Sequence, residues 1–319
     1  LGGGIAGDSD GASDSLQISE KAVISQNTAK FSGGGIYYES GVVELNGGTI
    51  KENTAKFGGG AYIYGGTYSM DDGKISENTV SAKGGGLLLD CLDEGTITGG
   101  TITGNTVTGT DNNYGGGIYA ADCEVTMTGG SISENTTGCK LGQAYYQGGT
   151  LKVGKDVSIS GDIYLPKDKI INVISDLTKA NPEVSMAEND TYKQRVIAEY
   201  SADTTSFKNG TDDTKRYSLE TNTAGYAKTK GIRIEDNSTK GSLYQVWLDR
   251  NELPIRVNYI GRYADSGSVK TEIVEPGTEK YTVQKNSGYT RYSRKDYTFQ
   301  GWVFRLNNKK PVYSEKTTN

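Results

Sequence analysis

Along the first half of the chain, apolar positions fall in short alternations set off by Gly or Asn. Ile36-Tyr37-Tyr38, Val43-Glu44-Leu45 and Thr49-Ile50-Lys51 are one such set. Alternation with period two predicts half-buried strand, and segments this short cannot form helices of ordinary length. The set recurs. Ile24-Ser25-Gln26-Asn27-Thr28 returns as Ile50-Lys51-Glu52-Asn53-Thr54, Ile75-Ser76-Glu77-Asn78-Thr79, Ile102-Thr103-Gly104-Asn105-Thr106 and Ile132-Ser133-Glu134-Asn135-Thr136. A degenerate copy follows at Ile159-Ser160-Gly161-Asp162, and the Ile positions lie 26, 25, 27, 30 and 27 residues apart. A second phrase keeps step: Gly33-Gly34-Gly35-Ile36-Tyr37, Gly58-Gly59-Gly60-Ala61-Tyr62, Gly84-Gly85-Gly86-Leu87-Leu88 and Gly115-Gly116-Gly117-Ile118-Tyr119, opened by Gly2-Gly3-Gly4-Ile5-Ala6.

One period has too little apolar surface to fold alone. Stacking periods about 4.8 Å apart buries a continuous core, as solenoids do. The pattern therefore predicts an all-β right-handed parallel β-helix with three strands per coil. The Ile column should fill the cylinder. The Asn column should mark a turn, because Asn tolerates left-handed backbone and stacked amides hydrogen-bond from coil to coil. The Gly triplets suit a tight corner. They lack the Gly-Lys-Ser/Thr ending and the following helix of a phosphate loop.

The regular coils are expected over 1–165, with irregular coils and a cap over 166–251, since an open end would expose a sheet edge. Within that stretch 203–215 reads as a polar loop. A second domain is expected over 252–319, from strands at Ile255-Arg256-Val257-Asn258-Tyr259 and Tyr281-Thr282-Val283. Its small core would draw on Tyr297, Phe299 and Trp302.

Composition narrows the chemistry. The chain has 319 residues, net charge -5 and no histidine. That removes the commonest general base and metal ligand, and with them Ser-His-Asp and Cys-His sites. The acidic balance offers no overall basic field for nucleic acid. No apolar run reaches membrane-spanning length. The chain opens within a repeat, at Leu1, and reads as a piece of a longer protein.

Alternation places Tyr37, Tyr62, Leu88, Tyr119 and Tyr145 outside the cylinder, opposite inward Ile36, Ala61, Leu87, Ile118 and Ala144. Such a column can platform sugar rings, or can simply stack on itself as a stiffening ladder. Asp90, Asp93, Glu94 and Asp122, with Asp71, Asp72 and Glu124 nearby, crowd one turn region. They read as solvated loop, as a calcium site, or as the carboxylates of a lyase or glycosidase. Calcium is the one cofactor the pattern allows. The column Gln26, Glu52, Glu77 and Glu134 reads as an exposed acidic face. Thr96-Ile97-Thr98 and Thr101-Ile102-Thr103 have the Thr-x-Thr spacing of ice-binding solenoids, but Lys51, Lys74 and Ser133 interrupt any array. Cys91 and Cys123 fall at nearly the same place on successive coils. Coil spacing permits a disulfide there, and two buried thiols are the alternative; Cys139 would stay unpaired.

The Gly-Gly-Gly-Ile-Tyr and Ile-x-x-Asn-Thr phrases resemble the repeats of bacterial surface β-helix proteins, the polymorphic membrane protein and adhesin families. Tyr297-Thr298-Phe299-Gln300-Gly301-Trp302 resembles the internalin B-repeat (Listeria–Bacteroides repeat) family, although Arg294-Lys295-Asp296-Tyr297 departs from its usual Arg-x-Gly-Tyr. The second resemblance implies a small β-grasp-like module over 252–319. Together the two imply an extracellular protein of a Gram-positive cell surface, anchored to the wall by sequence outside this stretch. The leading expectation is a monomeric adhesin or glycan-interaction module, whose partner is a host or microbial glycan or a surface protein. A polysaccharide lyase or glycoside hydrolase is the alternative enzyme reading, and a structural spacer the third.

Overall fold

The computed structural model describes residues 1–8, 14–90, 92–186, 194–201, 216–219, 232–237, 243–249, 255–259, 270–274, 303–304 and 312–313. The chain divides into two compact units, Leu1–Arg250 and Asn251–Asn319. The first is a parallel β-solenoid. Strands of one coil pair in parallel with those of the next, and apolar columns line the interior.

The coils build three sheets, two long and one of four strands. The first has nine strands, among them Ile36–Glu39, Ala61–Tyr64, Leu87–Asp90 and Ile118–Ala121. Their inward residues Ile36, Ala61, Leu87 and Ile118 stand in register and are buried. The second sheet takes both remaining alternations of each coil. In two coils they merge into ten-residue strands, Val42–Lys51 and Thr67–Ser76. Val42–Lys51 bends at Gly47 and Gly48, where the register shifts. Ile50, Ile75, Ile102 and Ile132 stack inside it.

The third side of the cylinder differs from expectation. It is built after each Asn, by Thr54–Phe57, Thr79–Lys83, Thr106–Val107 and Thr136–Thr137. These strands are two to five residues long and inwardly small, so their alternation is faint in sequence. Ala29, Ala55, Val80 and Val107 form a separate small core beneath them.

The turn between second and third sheets also refines the expected picture. The left-handed residue is the one before each Asn: Gln26, Glu52, Glu77 and Glu134, with φ from 55° to 60°. Gly104 fills the same column with φ 67°, which explains the gap in the acidic series. Because this residue turns the chain, the next side chain points inward. Asn53, Asn78 and Asn105 are fully buried. Each Asn Nδ2 donates to the next coil's Asn Oδ1 at 2.9–3.0 Å, from Asn27 to Asn135. From Asn53 onward it also donates to an Ile carbonyl of the preceding coil. A buried amide column without these partners would cost about 1–3 kcal/mol for each orphaned group.

The Gly triplets make the corner between third and first sheets. Gly58 has φ +59°, and a Cβ on Gly59 would lie 2.5 Å from the carbonyl of Gly85 in the next coil. A side chain is therefore excluded at Gly59.

The coil that begins at Tyr145 is abbreviated. It returns to the first sheet at Ile163 without a strand in the third. Asp162 closes the gap. Its buried carboxylate accepts from the backbone N–H of Gly142 at 2.5 Å and of Gln143 at 2.8 Å, and from the Ser185 hydroxyl. Further on the ladder turns from parallel to antiparallel. Gln194–Tyr200 pairs in parallel with Ile171–Val173 but antiparallel with Leu243–Asp249, which pairs antiparallel with Ile232–Asn237.

In the second unit Ile255–Tyr259 pairs antiparallel with Lys270–Val274, and Val303–Phe304 with Val312–Tyr313. The strand expected at 281–283 and the aromatic phrase at 297–302 lie outside the described residues, as does the loop 203–215. No helix among the described residues is long and apolar enough to cross a membrane.

Candidate functional site

Pleating of the first sheet turns every second side chain outward, and parallel register stacks those side chains along the solenoid axis. The resulting outer column is Tyr37, Tyr62, Leu88, Tyr119, Tyr146 and Tyr164. The expected column is corrected at its fifth place. Tyr145 pairs with Ile118 and lies wholly inside the core. The slip arises because Gly142-Gln143-Ala144 stands where earlier coils carry Gly triplets, so Ala144 aligns with Gly117. The Tyr145 hydroxyl finds no hydrogen-bond partner among the described residues. Reading Gly142-Gln143-Ala144 as a worn triplet would have placed Tyr146 outward from sequence alone.

Leu88 divides the column into two parts. At the C-terminal end, Tyr119 and Tyr146 stack in parallel, their rings 4.2 Å apart and 2° from coplanar orientation. Tyr114, from the loop before the Gly115-Gly116-Gly117 triplet, lays its ring on Tyr164 at 4.1 Å and near Tyr146 at 5.4 Å. Lys83 Nζ lies 4.8 Å from the Tyr119 ring centroid and 3.1 Å from its hydroxyl. Burial, followed by the neighbouring Tyr119, pushes the Tyr146 phenol up to about 12. These rings cover one another.

At the N-terminal end Tyr37 and Tyr62 meet edge to face, 5.6 Å apart at 88°. Both are half-buried, and Tyr64, two residues further along the same strand as Tyr62, is 40% exposed. The hydroxyls are held by acids: Tyr37 donates to Glu39 at 2.8 Å and Tyr62 to Asp90 at 3.0 Å. Burial, then Glu39, pushes the Tyr37 phenol up to about 12. Burial, then the charge of Asp90, raises Tyr62 further. Asp8, Glu39, Tyr64 and Asp90 occupy one column on successive coils. The patch thus combines partly open phenol rings with carboxylate acceptors on one sheet face.

The acidic residues of the expected calcium turn stand in separate register columns. Among the described residues no three Asp, Glu, Cys or His side chains are placed to hold a metal ion. Asp90 is engaged with Tyr62, while Asp93, Glu94 and Asp122 are exposed. Glu124 pairs with Lys152 at 2.5 Å, and Asp71 accepts from Thr98 at 2.6 Å. Parallel stacking keeps the columns apart: Asp90 aligns with Ala121, and Glu94 with Thr67. A shallow cleft remains, lined by Asp122, Cys123, Glu124, Gly149, Thr150 and Lys169. Cys123 is buried, its Sγ 3.7 Å from the Leu89 carbonyl. Its expected disulfide partner, Cys91, lies outside the described residues. Cys139 is a free thiol at 3.2 Å from the Asn113 carbonyl.

Fold and surface together define a parallel β-solenoid that carries a two-part outer tyrosine column. No protein-family model, curated protein or solved structure matches the chain.

Proposed function

We propose that this protein is a glycan-interaction module of a bacterial cell surface, and that it binds without catalysing. In this reading the coils are right-handed, the hand that parallel β crossovers almost always take. The solenoid displays its ligand surface rigidly, and 252–319 serves as an internalin B-repeat-like, β-grasp-like stalk unit of a wall-anchored adhesin. The observation that carries the reading is the Tyr37–Tyr62–Tyr64 patch with its carboxylates. Phenol rings offer apolar faces to the C–H side of a sugar, and carboxylates accept from its hydroxyls. Carboxylates at the patch favour neutral or amine-bearing sugars over anionic ones.

A glycan array probed with the whole chain tests this. Neutral or amino-sugar glycans should bind, and Tyr37→Ala/Tyr62→Ala should abolish that binding. Binding that survives the double substitution, or an array without hits, contradicts the proposal. The spacer reading draws on a separate observation, the Tyr114–Tyr119–Tyr146–Tyr164 cluster, whose ring faces are spent on each other. That reading gains the field if the array is blank.

A further inference from the structure

The outer face of the third sheet has the opposite chemistry. Its first outward column is Thr28, Thr54, Thr79, Thr106 and Thr136, in register from coil to coil. Beyond it come Lys30 and Lys56 on neighbouring coils; Lys83 stands one column further on, in register with Phe57, with its Nζ on the Tyr119 hydroxyl. The strands Thr54–Phe57, Thr79–Lys83, Thr106–Val107 and Thr136–Thr137 contain no Asp or Glu.

None of the three lysines forms an ion pair with a carboxylate among the described residues, whereas Lys51 and Lys152 each bond a glutamate. They lie against aromatic rings instead. Lys30 Nζ is 5.3 Å from the Phe31 centroid, Lys56 Nζ 5.1 Å from Phe57, and Lys83 Nζ 4.8 Å from Tyr119. Phe31 is 50% exposed. Like charges on adjacent strands repel. A chain of net charge -5 has acids to spare, yet none neutralises this row.

We infer that this face docks an acidic polysaccharide, a chain of uronate-type sugars lying along the solenoid axis. The lysines meet carboxylates and the threonine column meets sugar hydroxyls. Coils repeat about every 4.8 Å, a step close to that of successive rings in an extended sugar chain, so one anionic ring faces each coil. A single-stranded nucleic acid fits less well. It needs a series of open aromatic faces for its bases, and among the described residues of this face Phe31 alone is half-exposed, with Lys30 against it. This site is separate from the tyrosine patch, which presents carboxylates.

The test is titration calorimetry of the whole chain with a purified polyuronate at low ionic strength. Oligothymidylate, a neutral glucan and phosphatidylglycerol vesicles serve as comparison probes. Polyuronate should bind best, and binding should weaken as salt is added. Lys30→Gln/Lys56→Gln/Lys83→Gln should weaken it about tenfold, three surface charge pairs together. Lys51→Gln/Lys74→Gln/Lys152→Gln makes the same change in net charge on another face and should leave affinity unchanged. Circular dichroism confirms that both triple variants are folded. Equal loss in the two variants, no binding of polyuronate, or equal or tighter binding of oligonucleotide, glucan or vesicles would overturn the inference. Tyr37→Ala/Tyr62→Ala should not affect polyuronate binding, so failure here and failure of the tyrosine patch are told apart.

Discussion

The two ends of the tyrosine column share register, strand and pleat, yet they have different chemistry. Around Tyr146 the next coil contributes another ring, and Tyr114 adds one from a loop, so the faces close on each other. Around Tyr62 the next coil contributes Leu88 and the strand end contributes Asp90, so the phenol is tethered while its surroundings stay partly open. A repeat position fixes where a side chain points. Its neighbours along the axis decide whether that side chain is packing material or surface.

The largest effect that would sharpen this contrast comes from just inside it. Tyr145→Ala should cost about 3–5 kcal/mol, the cost of emptying a large buried aromatic site, measured by urea denaturation. A loss below about 1 kcal/mol would return Tyr145 to the outer column. Tyr146→Ala should cost about 2–3 kcal/mol, since it removes a half-buried ring and its stacking partners at about 0.5–1.5 kcal/mol each. Tyr62→Ala should cost about 1 kcal/mol, one edge-to-face contact and one hydrogen bond. Equal costs at Tyr62 and Tyr146 would erase the distinction between the two ends. Tyr145→Phe should gain about 1 kcal/mol, because it removes a buried hydroxyl without a partner.

Titration offers the mildest probe. The phenols of Tyr37 and Tyr146 are both raised from 10.0 to about 12 in the fold. A raised phenol favours the neutral form in the folded state. Its stabilising contribution is complete below pH 10 and is lost as pH rises from 10 through about 12. Ultraviolet absorbance of tyrosinate should show these two groups ionising late, and Glu39→Gln should bring Tyr37 down while leaving Tyr146 in place. A Tyr37 that ionises near 10 in the folded protein would contradict both its burial and its Glu39 contact.

Much of the solenoid was legible because its columns repeat in type as well as in spacing. Ile24 to Ile159 and Asn27 to Asn135 announced the coil. The third sheet was hidden because Thr54-Ala55-Lys56-Phe57 and Thr136-Thr137 are short and bury only small residues. The exchange of Tyr145 for Tyr146 came from Gln143 and Ala144 replacing two corner glycines, which masked the register by one residue. The Glu column had a hidden role as well, since a left-handed φ at Glu52 or Glu77 leaves no mark in a hydropathy pattern. The placement of the acidic residues was not legible either. Neighbouring acidic residues in sequence were spread over separate columns by the strict parallel register, and Tyr62, Lys152 and Thr98 had already engaged three of them.

The most direct measurement sets Tyr62→Ala beside Tyr146→Ala, with stability and glycan affinity measured on the same preparations. Tyr62→Ala should lose at least tenfold in affinity for the array-selected glycan while the fold stays nearly as stable. Tyr146→Ala should lose stability but keep its affinity wherever it is folded. Affinity lost at Tyr146 and kept at Tyr62 would place the ligand surface at the wrong end of the column and contradict the proposal.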